Sequence, residues 1–87
     1  MTHKLKLYKE YADAVLSGEK SFEIRFNDRG YQKGDFIEFN VIDGIYEIYH
    51  PLNYKTFVIT YILSGWGLKE NWCALAIKEV DMKGGAT

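Results

Sequence analysis

Apolar and polar positions alternate strictly over residues 3–7, with His3, Leu5 and Leu7 on one side and Lys4 and Lys6 on the other. That is the pattern of a half-buried strand. At Tyr8 the period lengthens. Tyr8, Tyr11, Ala12, Val15 and Leu16 recur at three- and four-residue intervals, with Lys9, Glu10 and Asp13 opposite, which predicts a short amphipathic helix. Ser17-Gly18 ends it, because glycine takes the left-handed conformation that satisfies the last carbonyls without a side-chain penalty. Residues 21–26 alternate again, Phe22, Ile24 and Phe26 against Ser21, Glu23 and Arg25. A second strand follows, with its apolar face in the core and its charged face in a wet cleft.

Asn27-Asp28-Arg29-Gly30 and Lys33-Gly34-Asp35 read as turns leading into an apolar-rich strand over 36–42. Asp43-Gly44 before residues 45–49 is a two-residue hairpin signal. His50-Pro51-Leu52-Asn53 reads as loop, residues 56–63 are the most β-prone stretch, Ser64-Gly65-Trp66-Gly67 stops them, and 73–80 supply a last strand. No linker or repeat divides the chain, so residues 1–82 form one domain and 83–87 a flexible tail. The expected fold is α+β and mostly β: about six strands and one N-terminal helix. So many short strands leave exposed edges, which predicts a barrel or partial barrel with the helix packed against it.

Composition narrows the function classes. With 87 residues, 47% of them hydrophobic, the chain can enclose one core and no separate cofactor domain. The lone Cys73 cannot form an intrachain disulfide and has no companion at metal-ligand spacing, which fits a reducing, cytoplasmic setting. Apolar runs are too short to span a membrane, and no secretory h-region follows Met1. A net charge of −1 argues against broad, salt-driven adhesion to nucleic acid. The charge is uneven, however: residues 1–34 carry seven Lys or Arg against five acids, and residues 35–87 four against seven. A locally basic face suits a small anionic ligand or a short stretch of RNA. No cofactor motif or metal site is read, and a monomer is expected.

Three chargeable groups, Lys20, Glu23 and Arg25, follow the helix stop. By spacing alone, Glu23 and Arg25 make either a solvated surface pair worth about 0–1 kcal/mol or a site. Together with Gly18 they match the G-x-K-x-x-E-x-R signature of ASCH domains, in the PUA-like superfamily associated with RNA binding. The resemblance extends over nearly the whole chain, through His3-Lys4-Leu5-Lys6, Ala14-Val15-Leu16-Ser17-Gly18, Asn27-Asp28-Arg29, Lys33-Gly34-Asp35, Thr60-Tyr61-Ile62-Leu63 and Gly65-Trp66-Gly67-Leu68. In this span the chain resembles a small ASCH-related family of phage and bacterial proteins of unassigned function. The resemblance implies a PUA-type β-barrel with a cleft beside the helix, lined by Lys20, Glu23 and Arg25. The candidate ligand- or RNA-binding set is these three with Asn27, Arg29, Trp66 and His3.

An arginine fork can hold a phosphate or base edge, lysine adds a compact charge, and glutamate can accept from an amine or hold both cations. Trp66 either stacks on a base or plugs one end of the barrel. His3 is either a partly buried polar residue or a neighbour of the cleft. Tyr61 and Trp72 are expected in the core, Cys73 as a buried thiol, and His50 as loop decoration. Three functions follow: an RNA- or nucleotide-binding module; a small amidohydrolase acting on a modified nucleoside such as N4-acetylcytidine; or a phage or mobile-element protein-interaction domain using Tyr46, Tyr49 and Tyr54. For the hydrolase, resemblance to an ASCH branch that cleaves the acyl amide of N4-acetylcytidine implies Lys20, a Thr where Glu23 stands, and a distant Glu for which Glu70 and Glu79 are the options. If the chain is an enzyme, the catalytic pair is Lys20 and Glu23, with Glu23 as general base for water.

Overall fold

The computed structural model describes residues 1–81; the expected tail at 83–87 lies outside them. The elements run β1 (Thr2–Tyr8), α1 (Lys9–Ser17), β2 (Phe22–Phe26), β3 (Phe36–Asp43), β4 (Tyr46–Glu47), a 3-10 turn (Pro51–Tyr54), β5 (Thr56–Ser64) and β6 (Trp72–Val80). The fold is α+β and mostly β: one six-stranded sheet and one α-helix among the described residues. Strand order is β1-β3-β5-β6-β2, with β4 paired only to β3. β1 runs parallel to β3, and the other pairings are antiparallel.

Core positions follow the alternation where a strand is covered on one side. Leu5 and Leu7 of β1 meet Ile37, Phe39 and Val41 of β3, Phe57 and Ile59 of β5, and Cys73, Leu75 and Ile77 of β6. The helix adds Ala12 and Val15. It ends at Gly18, whose φ of 85° is the left-handed cap that glycine accommodates. The segment expected as plain loop is instead a 3-10 turn that drives Leu52 fully into the core. His50 is not decoration there. Its Nδ1 accepts from the Leu52 N–H at 3.1 Å and its Nε2 bonds Asp13 at 2.8 Å, tying the turn to the helix.

Four expectations need correction. The sheet does not close into a barrel: β1 and β2 remain its two edges. Second, β2 is turned over. Opposed residues share a face, and the register sets Glu23 beside Leu75 and Arg25 beside Cys73, both buried. Glu23 is therefore 3% exposed, while Phe22, Ile24 and Phe26 are 45%, 47% and 48% exposed. Third, Tyr61 is not core. Ile59 pairs with Ile77 and Tyr61 with Ala76, so Thr60 is an extra residue in a β-bulge, and the shift sends Tyr61 to the outer face. Trp72 follows it outward, opposite Phe26. Fourth, β4 is two residues long, because neither face of Tyr46–Glu47 is covered.

The inverted β2 gives a first expected outcome. Ile24→Ala should cost about 1 kcal/mol or less, since half the side chain is already in water. Urea unfolding of this variant beside the wild-type chain checks it.

Candidate functional site

The open seam between the two sheet edges is the site. β1 exposes its outer backbone edge there, and arginines reach across instead of a ladder. Arg25 Nη2 donates to the Lys6 carbonyl at 2.8 Å, and Arg29 Nη1 to the Lys4 carbonyl at 3.2 Å. A direct ladder would bring the strands to about 4.8 Å and leave no room for such side chains. The gap they hold open is a cleft of about 610 Å³, a size that takes a small ligand.

Glu23 organises the cleft. Its Oε1 accepts from Arg25 Nε and Nη2 at 3.1 and 3.0 Å, and its Oε2 accepts from Lys20 Nζ. Lys20 also donates to the Phe22 carbonyl at 2.8 Å and sits 4.9 Å from the Phe22 ring centroid and 5.7 Å from that of Tyr11. The buried carboxylate thus fixes two long cations that would otherwise lose rotamer freedom on meeting a ligand. Four basic residues (Lys6, Lys20, Arg25, Arg29) and two acidic ones (Glu23, Asp28) line the cleft, so it keeps a net positive balance. Tyr8, Tyr11, Phe22, Phe26 and Trp72 give it aromatic walls. Tyr8 and Tyr11 line the cleft although the apolar periodicity puts both on the buried helix stripe. Their place at the end of β1 and the start of α1, just ahead of the Lys20 segment, was the available signal.

The other candidates lie elsewhere. His3 is buried away from the cleft lining, with Nε2 2.8 Å from Asp35 Oδ2 and its ring edge-on to Tyr31 at 4.8 Å. The Asn27 side chain accepts from the Tyr31 N–H at 3.1 Å and borders a separate depression beside Gly65 and Asn71. Trp66 neither plugs the sheet nor lines the cleft: it stands 89% exposed, with φ of 55° between two glycines. Glu70 borders the Asn27 depression, and Glu79 pairs with Lys55 at 3.5 Å. Among the described residues, no cluster of three or more His, Cys, Asp or Glu could hold a metal ion, and no helix is long and apolar enough to cross a membrane.

Burial pushes the Tyr31 phenol and the Cys73 thiol above their ordinary values, which leaves Cys73 an inert thiol. The His3 hydrogen bond, helped by the Gln32 N–H, holds the Asp35 carboxyl below the usual carboxylate range. A depressed folded-state pKa stabilises above the unfolded value and is lost as pH falls through the folded one. The melting temperature should therefore drop as pH falls below about 4, and Asp35→Asn should flatten that part of the profile. Melts from neutral to acid pH on both chains check this.

Comparison with known proteins places the chain. A family profile described as a domain of unknown function, DUF3850, matches residues 2–77. The chain belongs to this family. A stretch of 33 residues is 48% identical to an uncharacterized 12.9 kDa protein of Escherichia phage P2, located in the GpA 3' region. It covers 38% of this chain and 30% of the phage protein. The crystal structure of the hypothetical protein PH0355 superimposes with a TM-score of 0.62, covering 92% of this chain and 100% of that one. At 17% identity that likeness speaks for the DUF3850 fold alone.

Proposed function

We propose that this DUF3850 domain is an ASCH-type binding module of the PUA-like class, whose seam cleft takes RNA or a nucleotide-like ligand. The observation that carries the reading is the buried Glu23 carboxylate holding Lys20 and Arg25 side by side in a cationic cleft with aromatic walls. The cations suit a phosphate, and Tyr11 and Phe22, already beside the Lys20 ammonium, suit the face of a base. Arg25 and Arg29 can exchange backbone carbonyl partners for phosphate oxygens, which adds an ionised acceptor to an already ionised donor.

The amidohydrolase reading is less well served. Neither Glu70 nor Glu79 lines the cleft, and both oxygens of Glu23 are engaged, which leaves Asp28, 3.9 Å from Arg29 Nε, as the other carboxylate in the lining. The protein-interaction reading draws on one specific feature: Tyr49 and Tyr54 stand exposed with ring centroids 6.0 Å apart, and Tyr46 is exposed as well.

Titration of a fluorescent four-nucleotide single-stranded RNA, with a mononucleotide as competitor, tests the proposal. Lys20→Ala and Arg29→Ala should each weaken binding about tenfold, the loss of one charge-assisted contact. The salt slope should correspond to about two or three phosphates, well short of the six to ten of a duplex-binding surface. Binding that is unchanged in both variants would sink the assignment.

A further inference from the structure

The outer face of β2, β6 and β5 is left bare. Opposed residues share a face, and the register sets Phe26 beside Trp72, Ile24 beside Ala74 and Leu63, and Phe22 beside Ala76 and Tyr61. None of these side chains is charged. The large ones are 36% to 61% exposed, although an apolar surface of this extent on a soluble domain marks a contact site. Ala74 and Ala76 make the floor of a shallow trough along β6, walled by the side chains of β2 on one side and of β5 on the other.

We propose that a second copy of this chain covers this face in a two-fold contact, the Phe22–Ile24 ridge of each copy resting in the alanine trough of the other. Three features favour a copy over another partner. Ridge and trough lie on the same surface, which is what an isologous contact requires. The centre is uncharged, so pairing it with itself brings no like charges together, whereas an acidic or basic partner would find nothing there to pair with. The nearest charges, the Lys20 ammonium beside Phe22, already paired with Glu23, and Lys78 opposite Val58, sit at the rim, where charges are tolerated. The area is also adequate. Large aromatic side chains bury about 150–250 Å² when covered, so the exposed fractions amount to roughly 600 Å² per copy. A standard interface takes about 800 Å² per partner, and the rim around Val58 and Lys78 can supply the remainder.

Phe22, Ile24, Phe26 and Trp72 also line the cleft, so the contact runs along its lip, while Tyr61 and Leu63 lie outside the cleft lining. The contact is proposed whatever the cleft binds. Sedimentation equilibrium of the 87-residue chain from about 1 to 200 µM, a range that brackets a micromolar dissociation constant, tests it. The mass should rise from monomer to dimer. Ile24→Lys and Tyr61→Glu, both at exposed positions, should keep the wild-type melting behaviour and weaken association at least about tenfold, because each buries an unpaired charge at the contact. A wild-type chain that stays monomeric throughout overturns the proposal, as does a dimer that both variants leave intact. Ile24 lines the cleft and Tyr61 does not, so Tyr61→Glu separates the two surfaces: it should weaken association and leave RNA binding unchanged.

Discussion

Glu23→Ala is expected to destabilise the domain by about 3 kcal/mol, more than any other change at the cleft. Removing one member of a buried ionic cluster leaves its partners charged and poorly solvated, typically at a cost of about 3–5 kcal/mol. The lower end applies because the Lys20 and Arg25 side chains keep 20% and 23% of their surface exposed. In a chain this short the melting temperature should fall by about 12–24 °C. Glu23→Gln keeps the volume and an acceptor oxygen and should recover part of the loss. Arg25→Ala should fall between wild type and Glu23→Ala, since it also removes the bond to the Lys6 carbonyl that spans the seam. Thermal melts of the three variants decide the matter. A Glu23→Ala melt within a few degrees of wild type would mean that the cluster is effectively solvated.

The second large effect is expected on the far side of the same ladder. Leu75 is fully buried, opposite Glu23, and packs in the core cluster with Ile59 and Ile77. Leu75→Ala should cost about 2–5 kcal/mol through lost burial and the cavity left behind. With small domains near the low end of a 5–15 kcal/mol stability range, about half of the margin would go. The contrast with Ile24, one residue along on β2 and on the other face, is the test of strand orientation. Urea unfolding should show Leu75→Ala shifted far more than Ile24→Ala. Equal shifts would return β2 to the orientation that simple hydrophobicity suggests.

That orientation shows where sequence patterns stop. Alternation over residues 21–26 separates Phe22, Ile24 and Phe26 from Glu23 and Arg25, but it does not say which side faces in. The choice is made by β6, whose Cys73, Leu75 and Ile77 are large enough to fill the core while Ala74 and Ala76 are not, and by a cleft that lets charged groups point inward. The Thr60 bulge is a single inserted residue with no sequence mark of its own, yet it decides that Tyr61 leaves the core. His3 alternates with Leu5 and Leu7 and is buried with them; its partner Asp35 lies 32 residues away and could not be named in advance. By contrast, the helix, its glycine stop and the succession of strands along the chain follow directly from local periodicity. The meeting of Lys20, Glu23 and Arg25 was anticipated as well: alternation pairs Glu23 with Arg25, and the resemblance to the G-x-K-x-x-E-x-R signature implies that Lys20 joins them. The extension of the cleft to Tyr8 and Tyr11 needed the approach of β1 and β2, whereas Arg29 was among the candidates named from the sequence.

The central claim is that the seam cleft receives a nucleotide or a short RNA. Backbone amide shifts of the labelled chain during titration with a four-nucleotide single-stranded RNA test it most directly. The account predicts shifts concentrated at Tyr11, Lys20, Glu23, Arg25 and Arg29, with saturation at one ligand per chain. Shifts centred on Tyr46, Tyr49 and Tyr54, or none at millimolar RNA, would contradict it.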